Sequence, residues 1–86
     1  MKYVVRISRV ASKELEEIPS KMFERVVAAI YTLQDNPRPS GHKKLKGQKF
    51  PIYRIRIGDY RVLYLVDDVI RIVDVQKVGH RRDVYE

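Results

Sequence analysis

The sequence predicts an α+β domain of order β-α-α-β-β-β, with a helical hairpin packed on one face of a small antiparallel sheet. Apolar residues recur at helical spacing between residues 10 and 33, and from Ile52 onward the period drops to two. Gly58-Asp59 then stands between two alternating runs, as a tight hairpin turn would. Eighty-six residues make a single domain, 1–86, without room for a second.

Taken in order, Tyr3-Val4-Val5-Arg6-Ile7 reads as a first strand, apolar on both faces and free to join an edge of the sheet. Ser8 is the expected N-cap of a helix running to about Glu17, with Val10, Leu15 and Ile18 as its apolar stripe. Pro19 ends that helix and opens the next, since proline fits a first helical turn. The second helix, Ser20 to about Gln34, carries Phe23, Val26, Val27, Ile30 and Leu33 at helical spacing. Asp35-Asn36-Pro37-Arg38-Pro39-Ser40-Gly41 is a loop, and HKKLKG follows as a basic connector. Strands are expected over Ile52–Ile57, Tyr60–Val66 and Val69–Val78, with a second two-residue turn at Asp67-Asp68 and a break at Gly79.

These turns imply a register. The first pairs Ile57 with Tyr60, Arg56 with Arg61, Ile55 with Val62 and Arg54 with Leu63. The second pairs Leu65 with Ile70, Leu63 with Ile72, Val62 with Val73 and Arg61 with Asp74. Tyr53, Ile55, Ile57, Val62, Tyr64, Val73 and Val75 then share the face that the helices cover. Arg54, Arg56, Arg61, Asp74 and Gln76 share the other, beside Leu63, Leu65, Ile70 and Ile72. The latter four form an apolar patch suited to a docking helix or strand, or to the chain's own tail.

The formal net charge is +7, and its placement says more than its size. Residues 36–64 hold eight Lys/Arg against Asp59 alone, while the flanking thirds are close to neutral. That clustering points to nucleic acid. Lys43, Lys44, Lys46 and Lys49, with Arg82 in the tail, are the expected general nucleic-acid contacts. Arg54 and Arg56 are two residues apart on one strand, about 6.6 Å, comparable with the spacing of successive phosphates on an extended strand. A guanidinium binds phosphate bidentately. Any one of the three arginines is equally well read as an ordinary solvated residue; together, beside KKLK, they read as an anion site.

The tail Gly79-His80-Arg81-Arg82-Asp83-Val84-Tyr85 adds cations, an imidazole and a phenol. Alone, Tyr85 would read as a ring tying down the terminus and His80 as an exposed loop histidine. There is no cysteine, only one other histidine, His42, and no acidic cluster at ligand spacing, so neither metal nor cofactor is expected. No Gly-rich phosphate loop or Ser-His-Asp arrangement is present. Nothing reads as a signal peptide, and no apolar run approaches the roughly 20 residues of a membrane span. The expectation is a soluble, cytoplasmic protein.

KLKG, YRIRIGDYRVLY and VGHRRDVY, in that order along the whole chain, resemble the RelE toxins of the RelE/ParE toxin–antitoxin superfamily. The resemblance implies a RelE-like, microbial-RNase-like fold and an endoribonuclease that cuts mRNA in the ribosomal A site without a metal. A RelB-like antitoxin would hold it inactive, with Leu63, Leu65, Ile70 and Ile72 as the expected antitoxin-binding patch. The 2′-OH would attack the adjacent phosphate, leaving a 2′,3′-cyclic phosphate and a 5′-OH. The family's basic pair before the hairpin turn matches Arg54 and Arg56, and the arginine after the turn matches Arg61. The later arginine matches Arg81, and the closing tyrosine matches Tyr85.

Guanidinium groups would stabilise charge building on the phosphate and favour the phenolate of Tyr85, the expected base. Two departures stand out. The strand pair is often lysine in relatives, and arginine is a poor proton donor, so the resemblance leaves the general acid unassigned. His80 is a possible acid–base helper beside Tyr85. Other readings of the chain are a ParE-type toxin that poisons DNA gyrase without nuclease activity, and a non-catalytic RNA-binding module.

Overall fold

The computed structural model describes residues 2–82. Its elements are β1 (Val4–Ile7), α1 (Arg9–Glu16), α2 (Ser20–Thr32), β2 (Lys43–Lys44), β3 (Ile52–Ile57), β4 (Tyr60–Asp67) and β5 (Ile72–His80). They form one sheet in the order β1-β5-β4-β3-β2, with the core between it and the helices. The basic connector therefore contributes a short strand of its own. β1 lies parallel to β5, so the sheet is mixed: antiparallel through β2–β5, with one parallel edge. No described helix is long and apolar enough to cross a membrane.

Ser8 caps α1 as the sequence suggests. Its hydroxyl oxygen accepts from the Ala11 amide at 3.0 Å, and the same hydroxyl donates to the Gln76 carbonyl at 3.2 Å. The buried stripe of this helical segment is Ala11, Leu15 and Ile18 rather than one starting at Val10, which is 58% exposed. Positions 11, 15 and 18 follow the i, i+4, i+7 spacing of one helix face, and Val10 sits about 100° away from Ala11. On α2 the innermost residues are Val26 and Ile30, continued by Leu33 just beyond the helix.

The β3–β4 register is the expected one at every pair, including Arg56 opposite Arg61. Gly58 takes φ 59 and Asp59 does not enter the left-handed region, which is the pattern of a type II′ turn. A methyl group on Gly58 would meet Met22 Cε at 3.1 Å, a second reason for glycine there.

The β4–β5 register differs from the expected one. Asp67 pairs with Ile72, leaving four residues, 68–71, in the connection. The cause is local: Asp67 Oδ1 accepts from the amides of Val69 (2.9 Å) and Ile70 (3.1 Å), extending the turn, and Arg71 closes it at φ 59. Two aspartates lack the glycine that a two-residue primed turn prefers. Ile70 consequently lies in the turn, 61% exposed, and outside the sheet patch assigned to it.

Asp74 falls opposite Leu65 and Arg6 instead of Arg61, and binds the Arg6 guanidinium at 3.2 and 3.3 Å. The shift is four residues, an even number, so Val73 and Val75 keep the expected core side; a bulge then follows and reverses the alternation beyond it. Tyr64 faces Val75 and Leu63 faces Lys77, so Gln76 is the extra residue, and Val78 returns to the core opposite Val62. The strand continues through Gly79 to His80.

Several polar links close the end of the molecule around the 36–42 loop. Arg38 clasps Asp68 through two nitrogens (3.1 and 2.8 Å) and lies over the Tyr53 ring at 5.1 Å. Asp68 also accepts from the Tyr3 hydroxyl at 2.6 Å. The Tyr64 hydroxyl, fully buried, donates to the Pro37 carbonyl at 2.7 Å. Burial of that phenol pushes its pKa above the ordinary tyrosine value.

Candidate functional site

Register places the site. On the sheet face away from the core, one cross-strand row runs Lys43–Arg54–Leu63–Lys77, and the next toward the hairpin turn runs Arg56–Arg61–Gly79. Directly opposed side chains on one face stand about 5 Å apart at Cβ. Arg56 and Arg61 are therefore immediate neighbours. Gly79, opposite Arg61 on its other side, adds no side chain to the row.

The three arginines differ in exposure. Arg56 is exposed and Arg61 half-buried, but Arg54 is only 5% exposed. The alternating pattern suggested a solvated side chain at Arg54. Lys43 and Leu63 flank it in its row, and the burial extends past the stem to the guanidinium Nε. Arg54, Arg56 and the adjoining Ile55 and Ile57 line a cleft of about 460 Å³ at the outer edge of β3. Ala29 and Thr32 of α2 and the 39–41 loop close it from the other side. β2 covers β3 only as far as Arg54, so the strand edge is open beside this cleft.

The chain beyond β5 is tied to the hairpin tip. The Arg81 amide donates to the Asp59 carbonyl at 2.7 Å, and Arg81 Nε stands 3.9 Å from the Asp59 carboxylate. That ion pair is exposed and contributes little; the backbone bond holds Arg81 at the arginine end of the sheet. Arg82 turns away, its amide and Nε donating to His80 Nδ1 at 3.3 and 3.4 Å.

His80 does not join the arginine face. It pairs with Tyr60, which shares the core side with Ile57 and Val62, and its ring meets the Tyr60 edge at 5.5 Å. It borders a cleft of about 370 Å³ with Met22, Gly58 and Asp59 on the helical side. Tyr85 lies outside the described residues.

Lys43, Lys44, Lys46 and Lys49 are all exposed. Of the apolar patch, Leu63, Leu65 and Ile72 are half-buried on the arginine side of the sheet. Asp74 stands opposite Leu65 on β5, in the place that Ile70 was expected to fill, and Ile52 flanks Leu65 on its β3 side. Sequence reasoning also passed over Phe50, 59% exposed within the lysine-rich segment, and the Arg38–Asp68 clasp. The signal for Phe50 was its lysine neighbours; Arg38 had registered only as one more positive charge.

A family model described as "ParE toxin of type II toxin-antitoxin system, parDE" matches residues 5–85. The chain belongs to the RelE/ParE family of type II toxins. Among curated relatives it is 36% identical to RelE1 of Methanocaldococcus jannaschii over 91 residues, covering 100% of this chain and 98% of that one. It is 34% identical to toxin RelG of Mycobacterium tuberculosis, covering 99% and 98%. Among solved structures, the archaeal RelE–RelB complex of Pyrococcus horikoshii superposes with a TM-score of 0.83 at 30% identity, covering 98% of this toxin and 100% of that chain. The RelBE2 complex of Mycobacterium tuberculosis gives 0.83 at 29%, covering 94% and 100%. The toxin thus has the α+β fold of RelE structures, two helices on a small mixed sheet.

Proposed function

We propose that this toxin is a metal-independent endoribonuclease that cuts mRNA in the ribosomal A site and is neutralised by a RelB-like antitoxin. The observation that carries the reading is the directly opposed Arg56–Arg61 pair, with Arg81 held at the same end of the sheet by the Asp59 carbonyl. That arrangement suits a phosphate that gains charge during reaction, because fixed guanidinium groups need no reorganisation to meet it. Several relatives with RelE folds have been solved with RelB bound, which supports the partner.

In this reading Tyr85 takes the proton of the 2′-OH and the 2′-oxygen attacks phosphorus. The bond to the 5′-oxygen breaks, giving a 2′,3′-cyclic phosphate and a 5′-oxygen that takes up a proton. A guanidinium close to a phenol favours its phenolate form, the form that accepts a proton. This reading assigns the proton transfers without His80, whose ring meets Tyr60 on the helical side.

Arg61→Ala or Arg81→Ala should abolish growth inhibition while the protein still folds and still captures its antitoxin. Persistent toxicity in both would place the site elsewhere. Tyr85→Phe should slow single-turnover cleavage far more than ribosome binding, and an unchanged rate would reject the phenol as the base. The ParE label of the family model favours a second reading, gyrase poisoning. A supercoiling assay with the same proteins separates the two.

A further inference from the structure

We infer that Phe50 is a base-stacking residue, and that the 45–51 loop is an RNA contact at a distance from the scissile phosphate. Phe50 is 59% exposed and belongs neither to the hydrophobic core nor to the partly buried residues packed against it. The loop does not need Phe50 as an anchor, because Leu45, 6% exposed, serves that purpose and its amide binds the Ile52 carbonyl at 2.8 Å. A single exposed apolar residue is ordinary on a protein surface; this one is set among cations. The Lys49 ammonium lies 5.9 Å from the ring centroid, and Lys43, Lys44 and Lys46 are exposed in the same segment.

An aromatic face within a lysine cluster matches single-stranded nucleic acid in both respects. The cations track the phosphates while the ring stacks on a base, and every base offers a π-face. The cluster also joins the arginine face, since Lys43 stands directly opposite Arg54. From Phe50 to Arg56 the chain runs six residues, about 20 Å if extended. A strand held at the arginines would reach Phe50 a few nucleotides from the cut. This inference rests on RNA being the ligand of the basic face, and does not depend on cleavage.

The test is the affinity of the full chain for a short, labelled, unstructured oligoribonucleotide, read by fluorescence anisotropy. Phe50→Ala should weaken binding about 5- to 150-fold, the worth of one stacked base. Phe50→Trp should bind at least as well as the parent, and Phe50→Leu should behave like the alanine variant, since leucine is apolar but cannot stack. Phe50→Ala should leave the salt dependence unchanged, whereas Lys49→Ala should lower its slope by about one. All three Phe50 variants should melt with the parent.

Equal RNA affinity in parent and Phe50→Ala overturns the inference, as does full retention by Phe50→Leu. So does a loss confined to antitoxin capture, which would make the ring a protein contact. Weakened RNA binding in a protein that never cleaves would sustain the inference and reject the nuclease reading. Cleavage with unaltered Phe50→Ala binding would do the reverse.

Discussion

Glu14→Ala should destabilise the toxin by about 2 kcal/mol, and the reason lies at the end of β1. That strand stops with Ile7 opposite Val75, so among the described residues the rest of β5 has no strand neighbour on that side. The Glu14 carboxylate, on α1, takes the vacant place. One oxygen accepts from the Val78 amide at 2.9 Å and the other from Lys77 Nζ at 2.8 Å.

Removing the carboxylate leaves an amide without its acceptor at a residue whose side chain is fully buried, a cost of about 1–3 kcal/mol. The half-exposed lysine pair adds less than about 1 kcal/mol. Glu14→Gln keeps an oxygen for the amide and should cost under about 1 kcal/mol. At about 4–8 °C per kcal/mol for a domain of this size, the alanine variant should melt about 8–16 °C below the parent.

Urea unfolding with amide exchange at Val78 measures both the energy and its location. If Ala and Gln variants were equal, and both within about 0.5 kcal/mol of the parent, the helix-to-edge bond would not exist in solution. The consequence reaches the site, because β5 runs on from Val78 to Gly79 beside Arg61 and then to Arg81.

Other expectations concern the polar links around the 36–42 loop. The Arg38 clasp, and then the Tyr3 hydroxyl, lower the Asp68 pKa from 3.8 to about 2. A depressed carboxylate contributes stability that is fully present above the unfolded pKa and is lost as pH falls through the folded one. Thermal stability should therefore drop between about pH 4 and pH 2 more in the parent than in Asp68→Asn, and parallel curves would remove Asp68 from the account. Tyr64→Phe strands the Pro37 carbonyl and should cost about 1–2 kcal/mol in chemical unfolding. A stability equal to the parent would show that this hydroxyl bond does not anchor the loop.

Much of this architecture was legible in the sequence because local chemistry and burial agree there. Gly58 names its turn, the turn sets the pairing of Arg56 with Arg61, and a slip by one residue would have exposed Ile55 and Val62. The second hairpin was not legible. Its turn depends on the Asp67 side chain binding two amides and on a left-handed arginine, neither of which a composition rule anticipates.

That register shifted by four residues, an even number, so Val73 and Val75 stayed in the core although their partners changed, and the bulge at Gln76 then brought Val78 in as well. Arg54 followed the alternation onto the expected face, yet its burial depends on cross-strand neighbours that only the assembled sheet supplies. The position of His80 was hidden for a related reason: plain alternation from Asp74 and Gln76 would carry it onto the arginine face, and the bulge turns it to the other side.

The central claim is that the arginine face acts on an mRNA phosphate. The most direct measurement is to incubate the purified toxin with ribosomes translating a defined message, without added metal beyond that required by the ribosome, and to map the ends of the RNA. The account predicts cuts confined to the A-site codon, bearing 2′,3′-cyclic phosphate and 5′-hydroxyl ends, that vanish with Arg61→Ala. Intact message, together with blocked supercoiling by gyrase, would contradict it.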